Sequence, residues 1–135
     1  MPTEIKETGI YDFGMGLMAG LVLANWRTLD ERRLKDVHES VVEAFRVVEA
    51  ELGKDTLGFW MTTHRIYGTS HDVDGIFQYW LSSGYSTKDA PGTIYRFDMS
   101  KDEATRLLET LPGGAELYAK AVAAMLEHLR TNHYS

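Results

Sequence analysis

The sequence predicts an α+β fold in which strands are grouped between helical ends. Near both ends of the chain, apolar residues recur every three or four positions, the period of one buried helix face. Nine of the fifteen aromatic residues lie between Phe59 and Phe97, among β-branched residues that favour strands. Because helices and strands are segregated along the chain, we expect a small sheet with helices packed on one of its faces.

The composition is that of one soluble domain spanning residues 1–135. Hydrophobic residues make up 44% and charged residues 25% of the chain, close to the average for globular domains. There is no cysteine, which excludes disulfides and thiolate metal ligands. The net charge of −6 disfavours nucleic acid as a partner. Residues 1–8 are expected to be disordered, as chain termini often are.

Neither export nor membrane insertion is expected from the sequence. Acidic residues precede the first apolar stretch, whereas a secretory signal begins with a positively charged region. The apolar run from Phe13 to Trp26 has 14 residues, and a membrane-spanning helix needs about 20. The expected location is therefore the cytoplasm.

The segment from Ile10 to Asn25 is predicted to form a helix, although three glycines weaken it. Each glycine costs a helix about 1 kcal/mol relative to alanine, and a strand stays open as the alternative. Gly16, Gly20 and Ala24 lie four residues apart, so a helix would present a flat strip to a close neighbour. This strip indicates tight packing, either within the domain or across a dimer.

The strongest helix prediction covers the segment from Leu29 to Leu52. Thr28 and Glu31 have the spacing of a capping box at its start, and Gly53 suits a left-handed cap at its end. The apolar residues follow the period of one helix face: Leu34, Val37, Val41, Ala44, Phe45, Val48 and Leu52. We therefore expect this helix to pack on the core along that face.

Three strands are predicted in the aromatic region, over residues 57–67, 76–83 and 93–99. Turn-forming residues separate them, which favours a three-stranded antiparallel meander. A short helix capped by Asp74 is the alternative for the middle segment, because its apolar residues also fit helical spacing. As strands, the last two segments place six side chains on the core face: Phe77, Tyr79, Leu81, Tyr95, Phe97 and Met99.

Two helices are predicted after the sheet. Ser100 and Glu103 have the spacing of a second capping box, and a helical period follows over residues 101–111. The sequence Leu-Pro-Gly-Gly that ends at Gly114 breaks this helix. An amphipathic pattern then predicts a last helix over residues 115–131. We expect both helices to pack on one face of the sheet.

The outer face of the predicted sheet supplies the candidate ligand-binding residues. Strand alternation places an amide, an indole, a cation and an anion there, joined by a histidine of the first strand: Gln78, Trp80, Arg96, Asp98 and His64. Such a face could line a small-molecule pocket, with His64 as a general base, Arg96 as an anion clamp and Asp98 as an orienting carboxylate. It could equally contact a second subunit.

The candidate metal ligands are His64, His71, Asp72 and Asp74. Imidazole and carboxylate groups bind divalent cations such as zinc, manganese or iron. Their spacing matches no recognised zinc motif, and the two aspartates also suit a turn in which they bond nearby backbone amides. No cofactor is predicted, and a divalent metal ion stays a secondary hypothesis.

Two hypotheses about function follow from these patterns. The first is a non-catalytic association module that forms a homo-oligomer, using the glycine strip and the aromatic sheet. The alternative is a small-ligand-binding protein or an enzyme, metal-dependent or not, with its pocket on the sheet. The partner would be a second copy, a small molecule or another protein. No catalytic residue is assigned, because the motifs for nucleotide binding and for a serine nucleophile are incomplete.

Overall fold

The computed structural model describes residues 9–30, 34–53, 71–89 and 94–131, which contain five helices and three short strands. The helices are α1 (Ile10–Leu23), α2 (Leu34–Leu52), α3 (His71–Ser83), α4 (Lys101–Glu109) and α5 (Gly114–Thr131). The strands are β1 (Thr28–Asp30), β2 (Ser86–Lys88) and β3 (Ile94–Phe97). The α+β class is therefore confirmed.

The three strands form one antiparallel sheet in the order β1-β3-β2. Its central strand, β3, lies within the last of the predicted strands. The edge strand β1 precedes α2 in the chain, so the order is not that of a meander of consecutive strands. Tyr95, Phe97 and Met99 are each about 1% exposed, which confirms the predicted core face of this segment.

Two segments of the prediction lie outside the described residues. These are the strand over residues 57–67 and the N-terminal residues 1–8. Among the described residues the antiparallel sheet has three strands, because β1 and β2 pair with the two edges of β3. Both edge strands have only three residues, too few to show an alternating apolar pattern in the sequence.

Residues 76–83 belong to helix α3, the alternative that the sequence left open. Ile76, Phe77 and Trp80 are fully buried at helical spacing, whereas Tyr79 is 39% exposed. The strand prediction for this segment is therefore wrong, and so is its placement of Tyr79 on the core face. The helix begins at His71, so Asp74 lies in its first turn rather than at its cap.

Helix α1 confirms the predicted N-terminal helix, and its glycines give neighbouring helices close access. Gly16 lies against the ring of Tyr118, and Gly20 lies against Val122 and the backbone of α5. The tight packing of this strip thus occurs within the chain for its first two members. Its third member, Ala24, is exposed.

The capping box predicted at the start of α2 is wrong, whereas its C-terminal cap is confirmed. Thr28 lies in β1 and pairs with Arg96, and the helix begins only at Leu34. Thr28, which was expected to cap the helix, is therefore a strand residue whose backbone pairs with β3. At the other end, Gly53 has a φ of +81° and its N–H donates to the carbonyl of Glu49 at 2.8 Å.

The capping box at the start of α4 is confirmed, as is the break before α5. The Ser100 hydroxyl accepts from the N–H of Glu103, whose carboxylate accepts from the N–H of Ser100. Gly113 has a φ of +86° between α4 and α5, a conformation that favours glycine.

The helices cover one face of the sheet in two layers. Helix α3 makes the aromatic contacts, with the ring of Phe77 5.0 Å from Tyr95 and that of Trp80 5.1 Å from Phe97. The two C-terminal helices form the next layer, because α4 packs on α1, and α5 packs on α1 and α2. Within the described residues, no helix combines the length and the apolar content needed to cross a bilayer.

Candidate functional site

The outer face of the sheet carries Arg96 between two threonines. Arg96 pairs with Thr28 of β1 on one side and with Thr87 of β2 on the other. Residues directly opposite in antiparallel strands share a face, so the three side chains form a row on the exposed side. This row borders a shallow pocket of about 380 Å³, whose described lining is Thr28, Thr87, Lys88, Asp89, Ile94 and Arg96.

Of the other described candidate ligand-binding residues, Asp98 lies near Arg96, whereas Trp80 and Gln78 lie on helix α3. Asp98 follows Arg96 on the same face and accepts from the Thr87 hydroxyl at 3.5 Å. Trp80 is fully buried on α3, where its Nε1–H donates to the carbonyl of Gly14 at 2.9 Å. Gln78 is exposed on the same helix, and His64 lies outside the described residues. The predicted placement of Trp80 on the outer sheet face is therefore wrong, because a helical period turns its side chain into the core.

Three of the four candidate metal ligands lie in the first turn of α3. They are His71, Asp72 and Asp74, and only the backbone of His71 is described, while His64 is outside the described residues. One carboxylate oxygen of Asp74 lies 3.5 Å from Nε2 of the buried His38. Carboxylates in a first helical turn are also favoured by the helix dipole. A metal ion at these four residues stays a prediction.

A different set of metal-ligating side chains converges between α2 and α5. Ligating atoms of Asp36, Glu39 and His128 all lie within 4.8 Å of one another. His128 Nε2 is 3.4 Å from a carboxylate oxygen of Glu39. A cavity of about 190 Å³ opens beside them, and its described lining includes Glu39, Glu43 and His128.

The sequence alone did not predict this cluster, although the spacing of its two carboxylates is visible in the sequence. Asp36 and Glu39 are three residues apart within a segment predicted to be helical, which places them on one face. His128 lies about ninety positions further along the chain and joins them only through the packing of α2 on α5. The spacing of single-chain motifs cannot reveal a contact of this kind.

An apolar groove opens where the end of α1 meets α4 and α5. It has a volume of about 260 Å³, and no described side chain that lines it carries a polar atom. The described lining residues are Gly20, Leu23, Ala24, Leu108, Ala115, Ala119, Val122, Ala123 and Leu126. Ala115, Ala119 and Ala123 are exposed and repeat every four residues along α5, so they form one strip.

No family model matches the sequence, and neither the curated proteins nor the solved structures give a match.

Proposed function

We propose that this protein is a non-catalytic association module that forms a two-fold homodimer through the apolar groove. The observation that carries the proposal is the lining of the groove, where nine described residues supply only apolar side chains or glycine. Exposed apolar surface of this kind is favourable to bury. Trp26, which is 42% exposed and follows Ala24 by two residues, adds apolar surface after the end of α1.

The spacing of alanines on α5 makes this surface complementary to itself. A two-fold axis beside Ala119 would place Ala115 opposite Ala123 of the partner, because each lies four residues from the centre. Small residues at intervals of four allow two helices to approach closely. The partner that fits this strip best is therefore an antiparallel copy of α5.

Charge at the edge of the strip agrees with the same arrangement. Glu116 and Lys120 are exposed and lie beside Ala119 on α5, where Lys120 Nζ is 3.5 Å from a carboxylate oxygen of Glu51 on α2. An antiparallel copy centred on Ala119 brings Glu116 within one helical turn of the partner's Lys120, and symmetry repeats this pair of opposite charges. Rim pairs of this type steer association and orientation more than they add affinity.

The proposal is tested by Ala119→Glu, with Ala50→Glu as the matched control. Both alanines are exposed on helices, but Ala50 lies on α2, away from the groove. Two glutamates facing each other across the two-fold axis repel and lose water, which costs several kcal/mol and weakens the dimer by at least about 100-fold. Sedimentation equilibrium should give a dimer for the parent protein and the control, and a monomer for Ala119→Glu.

Two results of the sedimentation experiment would contradict the proposed dimer. A parent protein that stays monomeric at the highest soluble concentration refutes the association module. A dimer that Ala119→Glu leaves intact would show that another surface is used. Circular dichroism of both variants confirms that each retains its helices.

The row of Thr28, Arg96 and Thr87 favours a second candidate function, the binding of a small anion at the sheet. An exposed guanidinium beside the hydroxyl of Thr28 can donate to a carboxylate or a phosphate group, whereas the Thr87 hydroxyl already donates to Asp98. Arg96→Gln should then abolish the shifts that inorganic phosphate causes in the amide NMR signals of β3, whereas Arg106→Gln on α4 should leave them unchanged. Equal shifts in all three proteins would exclude this candidate.

A further inference from the structure

We propose that Asp36, Glu39 and His128 form a binding site for a divalent transition-metal ion of the zinc type. The two carboxylates lie on one face of α2, and the imidazole comes from α5. Their ligating atoms lie within 4.8 Å of one another. Ligand atoms bound at about 2.0 to 2.2 Å in a tetrahedral arrangement lie roughly 3.4 Å apart, so side-chain rotations that close the separations by somewhat more than about 1 Å bring all three into range.

The frame that holds these ligands is formed by the packing of two helices. Helix α2 and helix α5 contact each other over much of their length. Val41, Phe45 and Val48 of α2 are buried, as are Ala121 and Met125 of α5. The ligands are therefore placed by the core rather than by a loop, which favours a preorganised site.

The donor set and its surroundings favour a transition metal over calcium or magnesium. Imidazole binds zinc and similar ions, whereas calcium and magnesium prefer oxygen ligands alone. His128 and Glu39 are only 22% and 29% exposed, so their ligating groups are partly shielded from water. The two carboxylates would offset the charge of a divalent cation.

Open coordination positions would face the neighbouring cavity. Three protein ligands leave a fourth position of a tetrahedral ion for water or an added ligand. The cavity of about 190 Å³ includes Glu39 and His128 in its lining and is large enough for such a group. Glu43 and Arg46 also line this cavity and form an ion pair with each other.

The test is a titration of the tag-free, chelator-treated protein with zinc chloride. Isothermal titration calorimetry should give one Zn²⁺ per chain, and zinc should raise the melting temperature. His128→Gln should weaken binding by at least about tenfold, since even outer-shell partners of a metal are worth that much. Co²⁺ in place of Zn²⁺ should give visible absorption that His128→Gln removes.

The matched control is His71→Gln, which also separates this site from the ligand set at the start of α3. Unchanged zinc affinity in His71→Gln together with loss in His128→Gln supports the proposal. The reverse pattern, or no saturable binding in the parent protein, overturns it. If His128→Gln loses helical signal by circular dichroism, Glu39→Gln provides the same comparison from α2.

Discussion

The glycines of α1 show how a single missing side chain can determine which helices meet. A Cβ at position 16 would overlap the ring of Tyr118, and one at position 14 would lie 2.7 Å from Ile76. Both neighbours are fully buried. Glycine is therefore required at both positions, because other side chains fill the space that a Cβ would occupy.

Burial also raises the pKa of the Tyr118 hydroxyl above its ordinary range, so that group stays neutral.

At the residue scale, we predict opposite effects of two glycine-to-alanine substitutions. Gly16→Ala should lower the free energy of unfolding by about 1 to 3 kcal/mol, because overpacking against a buried ring outweighs the gain in helix propensity. Gly75→Ala on α3 should instead raise it by up to about 1 kcal/mol, since no described atom lies within 4 Å of the added Cβ. Urea denaturation measures both. A stabilised Gly16→Ala would contradict the packing described.

Individual residues were predictable where strand alternation applied. Tyr95, Phe97 and Arg96 occupy the faces that alternation along β3 predicts. Trp80 could not be placed in this way, because its surrounding residues fit both a strand and a helix. Its indole finds a partner in the carbonyl of Gly14, which belongs to another helix and has no signature in the local sequence.

At the element scale, local signals predicted helix ends correctly only where no tertiary pairing competed with them. The capping box of Ser100 and Glu103 forms, and Gly53 ends α2 as expected. Thr28 has the same type of signal, yet β3 takes its backbone into the sheet. A capping motif indicates only the local preference of a segment to begin a helix. Pairing with a strand that is distant in sequence can outweigh this preference.

We predict that Ser100→Ala lowers stability by about 1 kcal/mol, because it removes the acceptor for the N–H of Glu103. Ser82→Ala is the control, since the Ser82 hydroxyl donates to a carbonyl of its own helix and caps no helix N-terminus. The control should leave the urea midpoint unchanged or slightly raised. Equal losses in both variants would show that the cap contributes nothing specific.

The same cap predicts a pH dependence of stability. Hydrogen bonds from the backbone and side chain of Ser100 hold the pKa of Glu103 below its ordinary value of 4.5. A carboxyl group whose pKa is lower in the folded state stabilises the fold at pH values above its pKa in the unfolded chain. This contribution is lost as the pH falls through the pKa of the folded state. The stability difference between the parent protein and Glu103→Gln should therefore shrink as the pH is lowered below 4.5.

At the scale of the whole molecule, the fold class was predictable and the contacts between distant elements were not. Segregation of helical and aromatic segments gave the α+β class, because it depends only on local patterns. The strand order β1-β3-β2 and the approach of His128 to Asp36 depend on packing between segments far apart in sequence. The groove is also a product of packing, since its lining comes from three helices.

The groove and the metal cluster use different faces of α5. Ala119 and Leu126 line the groove, whereas His128 points toward α2 and contacts Glu39. Loss of one proposed activity should therefore leave the other intact. Ala119→Glu should still bind zinc, and His128→Gln should still sediment as a dimer.

The central claim, a two-fold dimer centred on Ala119, is tested most directly by disulfide cross-linking of Ala119→Cys. The chain has no cysteine of its own, so a disulfide can form only between two copies. Cysteines within about 7 Å at the Cα atoms can be bridged, which an antiparallel α5 pair satisfies at its centre. We expect rapid formation of a covalent dimer with Ala119→Cys and little with Ala50→Cys. Equal, slow cross-linking of the two variants would contradict the dimer.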